Sequence, residues 1–247
     1  MATRQKPLLL NRAIFVLRPF QATALTPLTT LIHRFPVAGT FEVFIRRDGS
    51  LLHRAPVQVA DGGVFQINID MAGTFDSTYA IAPGGALGFF VSKGEGAYSV
   101  SIDRITGRER ANVLDSTKGV PAGDLFAVTL VRAGRYRVVD VANKIDGVIT
   151  VEPPPPPPTR LERAARDAAA PRQRFRPDQP TGATISRGEM KPKEVRIFAG
   201  QTVVFDCTVA SNLRVEPQDR PTVRSGEAAR PGKLRRSFPK AAKTDKK

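Results

Sequence analysis

Residues 40–54, TFEVFIRRDGSLLHR, read as two β-strands joined at Asp48-Gly49. Asp-Gly takes up the positive φ values that a tight hairpin needs, and apolar runs flank it on both sides. Working outward, VQVADGGVFQI (57–67) repeats the design around Gly62-Gly63. FQINID (65–70) sets Phe65, Ile67 and Ile69 against Gln66, Asn68 and Asp70, the alternation of a half-buried strand. LFAVTLVRAGRYRVVDV (125–141) reads as a further strand pair turning at Ala133-Gly134, and GVITVEP (147–153) as a closing strand. Strand signals follow one another with no helical pattern between them. The expected fold is an all-β, antiparallel Greek-key β-sandwich over residues 1–152.

Composition agrees. The chain has 247 residues, 41% of them hydrophobic, with 20 Gly, 21 Pro and no Trp. That is enough apolar side chain for a core, and the abundance of turn formers favours strands over helices. The only cysteine, Cys207, cannot form an internal disulfide and says nothing of compartment. Near the N-terminus the apolar run PLLL is broken by Asn11 and Arg12, too early for a signal-peptide core. No run approaches the length of a membrane-spanning helix. The expectation is a soluble cytoplasmic protein.

Pro153 to Pro158 form an uninterrupted run of six prolines, expected to make a stiff polyproline II spacer. TRLERAARDAAAP (159–171) follows with a capping pattern, Thr159 and Glu162, and an alanine-rich body that Pro171 stops. Residues 172–190 read as loop, so 153–192 is expected to be a linker carrying a short helix. Residues 193–217 form a small β segment, and 218–247 a basic tail with too little apolar content to fold by itself. The small β segment is open to two readings: an incomplete second module, or strands added to the first sandwich.

Two stretches carry a resemblance. MKPKEVRIFAGQTVVFDCTVASNLRVEP (190–217) resembles the opening strands of a cupredoxin, and VRAGRYRVVDVANKIDGVITVEP (131–153) its closing hairpin. They occur in reversed order along the chain. The resemblance implies a copper-protein framework, and it places the family's first histidine at Ser211 and its cysteine at Asp140. Blue copper needs two imidazoles and a thiolate. The chain has two histidines, His33 and His53, both far upstream of Cys207. The frame is therefore expected without its metal, and no cofactor is expected. Cys207 is in phase with Val203 and Phe205 and should point into a core as a small hydrophobe.

Other chemistry finds little material. Two histidines and one core cysteine do not suggest a nucleophilic triad. APGGALGFF and KGEGAY are glycine-rich, but neither follows a strand and opens a helix as a phosphate-cradling loop does, and both read as turns. DGS, DGG and IDG read as hairpin signals.

Charge is unevenly placed. Residues 1–152 carry 17 Lys/Arg against 13 Asp/Glu, while 153–247 carry 21 against 10, so +11 of the net +15 lies in the last two-fifths of the chain. Arg235, Arg236, Lys240, Lys243, Lys246 and Lys247 are the candidate partner-binding residues. Phe238 alone is available there for stacking on a base, which disfavours single-strand readout. The expected role is a non-catalytic structural or adaptor protein that docks on an acidic protein partner or larger assembly through this tail. The alternatives are nucleic-acid binding through the same tail, attachment to a membrane surface, and an electron carrier or enzyme with an unrecognised site.

Overall fold

The computed structural model describes residues 18–154 and 181–218. The described residues form an all-β sandwich of fifteen strands in two sheets. In chain order these are β1 (Phe20–Gln21), β2 (Thr29–Arg34), β3 (Gly39–Arg47), β4 (Ser50–Asp70), β5 (Tyr79–Phe90), β6 (Tyr98–Thr106), β7 (Glu109–Asp115), β8 (Leu125–Thr129), β9 (Gly134–Asp140), β10 (Ile145–Glu152), β11 (Thr181–Ser186), β12 (Glu189–Lys191), β13 (Glu194–Phe198), β14 (Thr202–Cys207) and β15 (Leu213–Pro217). The ten-stranded sheet has the order β12-β11-β14-β8-β2-β5-β4-β3-β6-β7, and the five-stranded sheet β1-β15-β9-β10-β13.

The hairpin expected at Asp48-Gly49 is present. Asp48 has φ 50° and Gly49 φ 84°, and β3 pairs antiparallel with β4 across them. Gly62-Gly63 does not make a second hairpin. The chain continues through it as one long strand, β4, whose register against β5 shifts between Val59 and Val64. The reason is local. A Cβ on Gly63 would stand 2.3 Å from the Ile81 carbonyl carbon, so the glycine lets two backbones meet where a turn was expected. The glycines of APGGALGFF likewise lie inside β5, and Gly147 of IDG lies inside β10; neither is a turn. The alternation in 65–70 holds for Ile69, which is buried, but Phe65 is 73% exposed because the register shift turns it outward.

Ala133-Gly134 does not join a hairpin either. It carries the chain from β8 in one sheet to β9 in the other. The pairing is also mixed, with β4 and β5, β10 and β13, and β11 and β14 parallel. The stretch expected as loop up to residue 190 is strand from Thr181: β11 lies on β14, and β12 on β11. The prolines from 155 on and the helix expected at 159–171 lie outside the described residues.

Strands from the C-terminal stretch sit inside both sheets. β14 lies between β8 and β11, β15 between β9 and β1, and β13 beside β10. One core runs through the sandwich, with Leu31, Phe89, Phe126 and Phe205 from the ten-stranded sheet and Tyr136, Val138, Ile149 and Val215 from the five-stranded one. Phe126 and Phe205 are directly opposed on β8 and β14, with their rings 6.2 Å apart and stacked.

Candidate functional site

Two buried polar centres lie at the ends of the central strands. The first is built on Asp140, the last residue of β9, opposite Leu213 of β15. Its side chain is fully buried. Oδ1 accepts the amides of Ala142 at 3.0 Å and Asn143 at 3.3 Å, which closes the turn into β10. Oδ2 accepts Asn143 Nδ2 at 2.8 Å and the Asn212 amide at 3.0 Å, which ties that turn to the start of β15. Asn143 Nδ2 also donates to the Ala210 carbonyl at 2.8 Å and stands 3.5 Å from Ser211 Oγ. A buried carboxylate is tolerable only when its acceptor positions are used. Here each oxygen accepts twice.

Ser211 and Asp140, 71 positions apart in sequence, thus meet in space around Asn143. The backbone of Ser211 exchanges two hydrogen bonds with Val120, at 2.7 and 2.9 Å. Gly119 stands beside it with φ 126°, where any Cβ would fall 2.4 Å from the Ser211 carbonyl oxygen. Cys207 completes the neighbourhood. It is fully buried, and burial pushes its thiol up to about 12, against a smaller opposing effect of the Ser211 hydroxyl.

This donor set does not fit a copper ion. The carboxylate is spent on amides, the thiol is held protonated, and Ser211 and Asn143 offer only neutral oxygen and amide groups where imidazoles would be required. Among the described residues no group of three or more His, Cys, Asp and Glu side chains is placed to hold a metal ion.

The second centre was not legible in the sequence. His33, on β2, faces the same way as the buried Leu31 and is itself 7% exposed. Its Nδ1 lies 2.6 Å from Oδ2 of Asp124, which is also buried. The other carboxylate oxygen accepts the Arg34 amide at 3.0 Å. Asp124 is held by its own backbone too: its carbonyl accepts the Cys207 amide at 3.1 Å, and the Gly123 amide donates to the Cys207 carbonyl at 2.7 Å. The two centres therefore share Cys207. A carboxylate can only accept, so the proton between the pair sits on Nδ1. The imidazole edge packs on Phe35, with the rings 4.7 Å apart. No sequence signal links residues 91 positions apart; only the pairing of β2 with β8, which starts one residue after Asp124, brings them together.

His53 differs. It stacks on Phe75 at 4.4 Å, and its Nε2 is buried without a hydrogen-bond partner among the described residues. It is a packing residue at a half-buried position. The candidate partner-binding residues Arg235, Arg236, Lys240, Lys243, Lys246 and Lys247 lie outside the described residues.

Comparison with protein-family models, with curated proteins and with solved structures gave no match. No helix among the described residues is long and apolar enough to cross a membrane.

Proposed function

We propose that the protein is a non-catalytic structural or adaptor protein: a cupredoxin-like sandwich without a metal, docking on an acidic protein partner through the basic stretch 219–247. The observation that carries this reading is the closed polar centre at Asp140. At the two positions where the resemblance puts copper ligands, Asp140 and Ser211 stand together, and their hydrogen bonds fasten two turns to each other. The opening and closing stretches of the resemblance also lie side by side, β13 beside β10 and β15 beside β9. For docking on a protein surface the chain offers charge. Residues 219–247 hold 10 Lys/Arg against 3 Asp/Glu, an arrangement suited to acidic surfaces and sensitive to salt.

The test is binding of the full chain, and of a variant with Arg235, Arg236, Lys240 and Lys243 neutralised, to its partner purified from native cells and to unrelated duplex DNA. An adaptor keeps its protein partner at physiological salt in the presence of excess DNA and loses it on neutralisation. A chain that prefers one DNA sequence about a thousandfold over others is a specific DNA-binding protein, and the adaptor reading then fails.

A further inference from the structure

A cleft of about 440 Å³ opens beside the second polar centre, lined by His33, Phe35, Val37, Phe41, Val113 and Pro121, with Arg34 and Arg104 among its walls. Its size is that of a small-molecule site, and its make-up is mostly apolar with a few convergent polar groups. Three features distinguish it from a packing defect. Asp124 fixes His33 through Nδ1, and no protein group among the described residues hydrogen-bonds Nε2, although the ring is more than nine-tenths buried and lines the cleft. The Arg104 guanidinium lies over the Phe41 ring at 6.0 Å and has no carboxylate partner among the described residues. Asp124, the only acid in the lining, is already committed to His33 and to the Arg34 amide, so the uncommitted charge at the cleft is positive.

We propose that this cleft binds a small hydrophobic monocarboxylate. The apolar body packs against Val37, Phe41 and Val113. The carboxylate accepts from the Arg104 guanidinium, and from His33 Nε2 once that nitrogen takes up a proton with the ligand, Asp124 holding the ring from the far side. An ion-paired carboxylate in a partly dry cleft gains charge-assisted hydrogen bonds that a neutral isostere cannot make. The orientation of His33 by a buried aspartate is what makes one ring nitrogen available and aimed, since an unheld imidazole would turn to satisfy itself.

The full-length chain is titrated calorimetrically with 4-phenylbutyrate and with the matching alcohol, 4-phenylbutan-1-ol. The carboxylate is expected to bind saturably at one site, at least about tenfold more tightly than the alcohol. Arg104→Gln, at an exposed side chain, should weaken the carboxylate about fivefold and leave the alcohol unchanged. Val113→Trp should fill the cleft and abolish binding of both, and His33→Gln should remove the preference for the carboxylate. In the wild-type chain, carboxylate addition should shift the His33 ring resonances and leave those of His53 in place. The proposal is overturned if no saturable binding occurs, if alcohol and carboxylate bind alike, or if Arg104→Gln leaves the carboxylate affinity unchanged. The Arg104 comparison decides the matter even if His33→Gln fails to fold.

Discussion

The two buried carboxylates, Asp140 and Asp124, sit on either side of Cys207 and have opposite designs. Asp140 is closed: both oxygens accept twice, three of the four donors are backbone amides, and the result is a fastening between the β9–β10 turn and the start of β15. Asp124 is relayed: one oxygen takes a backbone amide, the other holds an imidazole whose far nitrogen is left for something else. Both satisfy the rule that buried charge must be bonded. Only the second satisfies it in a way that leaves a polar group unspent beside open space. A polar centre whose capacity is used up is architecture, whereas one that passes its orientation to an unspent atom is equipped to meet a ligand.

The largest expected effect removes the setting of both centres at once. A chain ending at residue 152 lacks Asn212 and Ser211 beside Asp140, the Cys207 backbone beside Asp124, and five strands of the two sheets, β11 to β15. Such a fragment should show no cooperative unfolding by circular dichroism. A sharp two-state transition in it would mean that neither centre depends on the C-terminal strands, and the contrast would lose its basis.

Next in size is the difference between the two aspartates. Asp140→Ala leaves the amides of Ala142, Asn143 and Asn212 without their acceptor and should cost roughly 3 kcal/mol in denaturant unfolding. Asp124→Asn retains an acceptor for the Arg34 amide and should cost about 1 kcal/mol. Equal losses at the two positions would break the distinction between fastening and relay.

Cys207 sharpens the comparison from between the two. Because its thiol is pushed up to about 12 in the fold, native protein should resist alkylation at pH 8, while unfolded protein reacts. The sign for stability follows from the raised value. The contribution is complete below the unfolded thiol's ordinary value and is lost as pH rises from there through the folded one, so alkaline unfolding should soften in Cys207→Ala. Copper loading should leave no stoichiometric metal on the chain. One tightly held copper per chain, lost in Cys207→Ala, would make the closed centre a metal site after all.

The smallest effect belongs to Glu42 on β3, a buried carboxyl whose two arginine partners are about half exposed. Its hydrogen bonds with Arg54, and then with Arg110, hold its carboxyl below the ordinary value of 4.5. A lowered value contributes stability above that pH and loses it as pH falls through the folded value. Glu42→Gln should therefore lower stability at neutral pH, by less than Asp124→Asn because both arginine partners reach solvent, and should flatten the acid side of the stability profile. A loss as large as that at Asp140 would show that the exposure of its arginine partners is not what separates Glu42 from Asp140.

What the sequence determined by itself was local: the strand character of 40–54, 57–70, 125–141, 147–153 and 193–217, the Asp48-Gly49 hairpin, the burial of Cys207 in phase with Val203 and Phe205. Alternation and turn chemistry act over a few residues, so they can be read from a few residues. The same locality explains the misses. Gly62-Gly63 and Pro83-Gly84-Gly85 have turn composition, but the close approach of β4 and β5 uses them as bends within strands. Ala133-Gly134 turns the chain between sheets, because β8 finds its partners in β2 and β14. The resemblance brought Ser211 and Asp140 to attention, but not Asn143 between them. His33 and Asp124 gave no signal at all, since neither the spacing nor the neighbours of either residue encode the other. Only tertiary structure decided those pairs, because which strands lie side by side is set by burial of the whole core, a quantity no short stretch contains.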